Sequence, residues 1–256
     1  MNPGPEVRRR LHLEMLVVLG ISLGQSAVYA LLSLINKLTQ EVALNRQTTS
    51  INASKTPDRP WLDLAYQVAN LVFPLVPVAL VLYLLWVYQR PHGGPLRSMG
   101  FDLRRPGFDL GLGSAVFVGI GAGGLVLYYA FRELGYNTSV SPANLAAAWW
   151  TVPMLLLLAV KNAVLEEVVM VGYLFTRWRQ SGGGILAVLA GSALIRGAYH
   201  LYQGFGGFVG NVVMGLLFGW LYLRTRRVMP LVVVHSLLDI FAFVGYALLK
   251  PHIPWL

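Results

Sequence analysis

Residues 152–174 read VPMLLLLAVKNAVLEEVVMVGYL. Most of the run is apolar, and it is long enough for a helix across the roughly 30 Å hydrocarbon layer of a bilayer. Glu166 and Glu167 stand side by side within it. An acidic residue at mid-bilayer costs about 3 kcal/mol on insertion scales, so ionisable groups kept there are candidates for function. The reading of the chain turns on whether other apolar segments carry partners for this pair.

The composition fits a membrane setting. Of 256 residues, 56% are hydrophobic and 12% charged, whereas a soluble domain carries about 25% charge. Apolar runs fall at 15–35, 64–88, 110–131, 185–202, 208–223 and 229–249, with a longer one at 145–178. The expected fold is all-α: a polytopic transmembrane helical bundle of about 7–8 helices with a membrane-buried polar site. Residues 1–142 supply N-terminal spans and a basic loop at 89–109, and residues 143–249 hold the polar core. Arg8, Arg9 and Arg10 precede run 15–35, which is too long for the apolar part of a signal peptide and reads as an uncleaved first span. Pro74 and Pro77 predict kinks in the second span. Residues 36–63 are rich in Asn, Thr, Ser and Gln and read as an exposed loop.

Run 145–178 would be about 50 Å long as one helix, with Pro153 a plausible break. Charge decides its topology. With the N-terminus cytoplasmic, twelve Lys and Arg lie in inner segments and six in outer ones, the bias that positive-inside insertion produces. This balance requires 145–178 to cross once and predicts seven crossings of the cell membrane. Topology then accounts for the formal charge of +9, and no nucleic-acid partner is expected. The chain has no cysteine, which excludes disulfides, thiolate metal sites and a cysteine nucleophile. Gly119 to Gly124 spells G-x-G-x-x-G, but no strand precedes it. Small residues letting helices approach closely are the better reading.

Polar residues inside the later runs are spaced in a pattern. Asn162 and Glu166 are four apart, as are Arg196 and His200, and His235 and Asp239. Residues four apart share a helix face, so three helices each offer a polar pair to a common interior. The chemistry this suggests is water activation, with a desolvated glutamate as general base and then acid. Only one of two consecutive helical residues can face the chemistry squarely. The histidines could ligate a metal or donate to an oxyanion, and Asp239 could be a ligand or orient His235. Structural ion pairing of the glutamates with Lys161 or Arg196 is the plainer alternative. No H-E-x-x-H occurs, Ser192 lacks a following glycine, and Asp239 is the only aspartate well inside a span. Those absences set aside the zinc-protease helix, a G-x-S-G nucleophile and an aspartate dyad.

These residues resemble the CPBP family, also called Abi, of CAAX prenyl endopeptidases and bacteriocin-processing or immunity proteins. Its motifs are E-E-x-x-x-R-G, F-x-x-x-H and H-x-x-x-N or D. Here they read Glu166-Glu167 to Val171-Gly172, Arg196 to His200, and His235 to Asp239. The resemblance covers roughly residues 143–249. It implies that Glu166 activates the hydrolytic water with Glu167 in support, and that His200 and His235 stabilise the oxyanion. It equally allows His200, His235 and Glu166 to hold a divalent metal such as zinc, with Asp239 in the family's Asn or Asp position. The implied substrate is a peptide or protein segment reaching the site from the bilayer. Val171 replaces the motif arginine and Arg196 replaces the phenylalanine, from which an Arg196–Glu167 pair across the helix interface is expected. The rival expectations are a non-catalytic scaffold or immunity protein of the same fold, and a proton-coupled transporter.

Overall fold

The computed structural model describes residues 3–89 and 94–249; Arg90 and Lys250, both counted in the charge balance, lie outside them. The protein is an all-α membrane bundle. Helices α1 (Pro5–Gly20) and α2 (Leu23–Leu38) together span the first apolar run, but they meet at a bend of 50°. At the bend Ser22 Oγ donates to Val18 O (2.5 Å), the kind of side-chain capture of a helix carbonyl that bends helices. Helices α3 (Pro60–Val72) and α4 (Val76–Gln89) form one span through a 3-10 turn at Phe73–Leu75. Pro74 lies inside that turn and Pro77 in the first turn of α4, where its missing N–H costs little. The prolines tighten the span rather than divide it.

After the short α5 (Gly94–Ser98), α6 (Pro106–Glu133) is the longest unbroken helix. Helix α7 (Thr151–Glu166) passes directly into a π-helical turn, Glu167–Tyr173, and then into α8 (Leu174–Gln180). Run 145–178 is therefore a single rod from Thr151 onward. Pro153 does not break it, because it sits in the first turn, where proline is compatible with a helix start. Helices α9 (Ile185–Ala198), α10 (Phe205–Thr225), α11 (Met229–Ile240) and α12 (Tyr246–Leu249) complete the bundle, with a π-helical turn at Phe241–Gly245 between the last two.

Among the described residues, four helices are long and apolar enough to cross a membrane, or five with α1 and α2 taken as one. That is fewer than the seven crossings expected. α9 has only 14 residues, and the rod bearing Lys161, Glu166 and Glu167 carries charge where a simple span would not.

The 36–63 segment is mostly exposed, as its polarity suggests, but it is tied to the bundle at several points. Its strand β1 (Thr48–Ser50) pairs in parallel with β2 (Ser139–Ser141). Asp63 is buried and accepts from Ser54 Oγ (2.8 Å), Lys55 N (2.7 Å) and Thr56 N (3.2 Å). Lys37, at the end of α2, donates to Thr49 Oγ1 and to Tyr202 O. Local hydrogen bonds thus let a polar segment pack against the bundle.

The π turn is the centre of the core. Val168, Val169, Met170 and Tyr173 are fully buried there, against α4, α9 and α10. Close packing depends on glycine at two places near it. A Cβ on Gly172 would lie 2.8 Å from Met99 Sδ, and one on Gly215 would lie 2.8 Å from Ala193 Cα on α9. The Gly119–Gly124 cluster is different: a Cβ at Gly119, Gly123 or Gly124 would meet nothing within 4 Å. Close helix approach does not explain those glycines.

Candidate functional site

Glu166 ends α7 and Glu167 begins the π turn. Successive helical side chains diverge by about 100°, so the two carboxylates serve different neighbours. Glu167 is fully buried. Its Oε1 accepts from Arg196 Nη2 (2.7 Å), so the pair expected across the α7–α9 interface is present. The same oxygen lies 2.7 Å from His235 Nδ1 on α11. Because that oxygen is an acceptor, Nδ1 is the donor. Glu166 is the more open of the two, with its side chain 12% exposed. Its Oε2 accepts from Tyr199 Oη (2.7 Å) and lies 3.6 Å from Arg196 Nη1 and 4.0 Å from His235 Nε2.

Asp239, one turn beyond His235, brings Oδ1 to 3.9 Å from His235 Nε2. Its Oδ2 accepts from Asn162 Nδ2 (3.0 Å), and Asn162 Oδ1 accepts in turn from Lys161 Nζ (2.6 Å). The i, i+4 faces of α7 and α11 therefore meet as their spacing predicts. Arg196 is also fully buried, with its guanidinium carbon 5.2 Å from the centre of the Phe218 ring, a cation–π contact that partly replaces lost hydration. Not every polar atom is satisfied: Glu167 Oε2 and Arg196 Nη1 are buried without a hydrogen-bond partner among the described residues.

His200 is placed differently from its expected position. The run assigned to 185–202 stops being α-helical at Ala198, and His200 stands in the turn that leads to the 3-10 segment Leu201–Gln203. Its Nδ1 lies 3.0 Å from Arg196 O; a carbonyl only accepts, so Nδ1 carries the proton and Nε2 is the open nitrogen. The ring lies between those of Tyr199 and Tyr202, at centroid distances of 4.8 and 6.1 Å.

One residue in the cluster is absent from the sequence-based reading. Tyr199 gives Glu166 its shortest hydrogen bond, but a tyrosine in an apolar segment is commonplace and signals nothing by itself. Asn162 carries the Lys161-to-Asp239 chain; its four-residue offset from Glu166 is the signal that identifies it. Ser192, set aside as a nucleophile, is buried and donates to Met170 O (3.0 Å).

The donor set is one that suits a divalent cation. Glu166, Glu167 and His235 offer ligand atoms within 4.8 Å of one another. His235 has its Nδ1–H fixed by a carboxylate, the usual support for a metal-binding imidazole. Glu167 Oε1 is already engaged twice, while its Oε2 has no hydrogen-bond partner among the described residues. Asp239 lies outside that group, although its Oδ1 is 3.9 Å from the same His235 nitrogen. His200, expected as a ligand, is not in that group.

Taken together, these features define a helical membrane protein with a carboxylate–arginine–histidine cluster enclosed where three of its helices meet. Residues 148–241 match the family model described as Type II CAAX prenyl endopeptidase Rce1-like. That match contains every residue of the cluster and supports the CPBP/CAAX protease family, a family of proteases. Comparison with curated proteins and with solved structures gives no match.

Proposed function

We propose that this chain is an intramembrane endopeptidase that hydrolyses a peptide bond with a glutamate-activated water. One observation carries the reading: Glu166, the most open carboxylate of the Glu166–Glu167 pair, is held by Tyr199 and faced by His235 Nε2. In this scheme Glu166 takes a proton from water and returns it to the leaving amine. Protonated His235 donates through Nε2–H to the developing oxyanion, with Glu167 fixing its ring through Nδ1–H. Arg196 holds Glu167 in place, taking over the charge that Val171 lacks. His200 Nε2 is the second candidate donor to the oxyanion. Asp239 orients the outer side of the His235 ring.

Glu166, Glu167 and His235 would also hold a divalent cation such as zinc, which would supply Lewis-acid polarisation of the scissile carbonyl. The substrate is a peptide or protein segment that reaches the site from the bilayer, and the N-terminus is cytoplasmic on the arginine bias. The deciding experiment is peptide cleavage by purified protein, comparing wild type with Glu166→Gln, His200→Ala and His235→Ala. Loss in each supports the enzyme; cleavage that survives all three rules it out and leaves a scaffold or immunity role. Loss on chelation with recovery on added zinc marks a metal-dependent reaction.

A further inference from the structure

A second charged feature lies at the end of the bundle where α5, α6, α10 and α11 meet. Arg97, Arg104, Arg105, Arg226 and Arg227 line an open basin of about 360 Å³ together with Asp102. Arg227 forms its floor. It is buried, its Nε and Nη2 donate to the two oxygens of Asp109 (both 2.7 Å), and Nη2 also reaches Asp102 Oδ1 (2.9 Å). Asp102 further accepts from the backbone N of Arg104 (3.1 Å).

The other four arginines are exposed, and no carboxylate lies within ion-pair distance of them among the described residues. Five guanidiniums against Asp102 and Asp109 leave a concentrated positive charge in a concave site. Guanidinium forks match the oxygens of phosphate. Apolar side chains stand exposed next to these residues in the chain: Leu103, between Asp102 and Arg104, is 80% exposed and Leu110, in the first turns of α6, is 57% exposed. A soluble anion gains nothing from exposed leucines nearby, whereas a lipid can place acyl chains against them. Basic pockets at the ends of membrane helices take anionic headgroups for this reason.

We propose that this basin seats the phosphate of an anionic membrane lipid, with Arg97, Arg104, Arg105 and Arg226 as its donors and Leu103 and Leu110 against its chains. The test uses the delipidated full chain in detergent, with bound lipid counted by native mass spectrometry against added phosphatidylglycerol, phosphatidylcholine or inorganic phosphate. Wild type should hold phosphatidylglycerol about tenfold more tightly than phosphatidylcholine. The triple variant Arg104→Gln, Arg105→Gln, Arg226→Gln should lose that preference, and Arg46→Gln with Arg59→Gln, on other exposed arginines, should keep it. If the triple variant does not purify as a monodisperse species, Arg105→Gln alone should weaken phosphatidylglycerol about threefold. An unchanged preference in the variant overturns the proposal. So does complete displacement of phosphatidylglycerol by millimolar inorganic phosphate, which would make the basin a site for a soluble anion.

Discussion

Two buried arginines sit among paired carboxylates in this molecule, and they are built to different standards. Arg227 grips Asp109 with two nitrogens and Asp102 with one of the same pair, and neither carboxylate has a buried oxygen without a partner among the described residues. Burial alone would push the Asp102 carboxyl up, but the hydrogen bonds from Arg227 and Arg104 hold it below its ordinary value. This cluster ties the α10–α11 turn to the start of α6, where Val228 N and Met229 N also bond to Met99 O and Gly100 O (2.9 and 3.2 Å). Arg196, by contrast, holds one oxygen of Glu167 while its own Nη1 and Glu167 Oε2 lack hydrogen-bond partners. An incompletely satisfied buried network is expensive. Stability alone would favour the Arg227 arrangement in both places, so the looser one is the place to look for chemistry.

Five measurements would break or sharpen that contrast. The largest effect should come from Glu166→Gln, which removes the general base and should lower kcat for peptide cleavage by about 10²–10⁴-fold with little change in thermal unfolding. Asp109→Asn should do the opposite. Removing one partner of a buried pair costs about 3–5 kcal/mol, so stability should fall while cleavage per folded molecule stays near wild type. A loss of turnover with intact stability would mean that the two clusters are not functionally separate.

Arg196→Leu should also cost about 3–5 kcal/mol, more than Arg196→Lys. Glu167→Gln should partly rescue it, because the carboxylate left uncompensated is then neutral. Absence of rescue in denaturant titrations would end the idea that Arg196 stands in for the missing motif arginine. Tyr199→Phe deletes one hydrogen bond to a charged acceptor, worth about 1.5–3 kcal/mol, and should lower kcat about tenfold or more while KM stays within twofold. An equal rise in KM would assign Tyr199 to substrate binding instead.

The smallest effect concerns acid stability. The folded-state pKa of Asp102 is lowered, so its contribution is fully present above the ordinary carboxylate value of about 3.9. That contribution is lost as pH falls through the lower folded-state value. Asp102→Asn should flatten this limb of a stability–pH curve, and thermal midpoints measured between about pH 2 and 5 would detect it. An unchanged slope would remove Asp102 from the staple.

Sequence spacing made the α7 and α11 contributions legible, because residues four apart on a helix must share a face. It also made the Arg196–Glu167 pair legible, since a buried charge in an apolar segment needs a partner. His200 was harder to place. The end of α9 is set by the turn that closes at Gly204, whose φ is +111°, and hydrophobicity continues past Ala198 without a mark. Residues 36–63 are mostly exposed, as read, but their ties to the bundle left no mark in the sequence. Their polar groups bond to one another and to β2, so a polar composition coexists with the burial of Thr49 and Asp63. The π turn left no periodic trace, because one extra residue in a uniformly apolar run does not alter its hydrophobicity.

That extra residue has a consequence for the helix as a gear. A π turn shifts everything beyond it by one residue, or about 100° of rotation. Glu166 is therefore indexed to α11 while Arg177, further along the same rod, is indexed to Glu14 of α1, which accepts from its Nε (2.7 Å). Deleting one residue between Val168 and Val171 would let the rod relax to uniform α-helix and force it to choose one of these engagements. Either the carboxylate would turn away from His235 or the far end would turn away from Glu14.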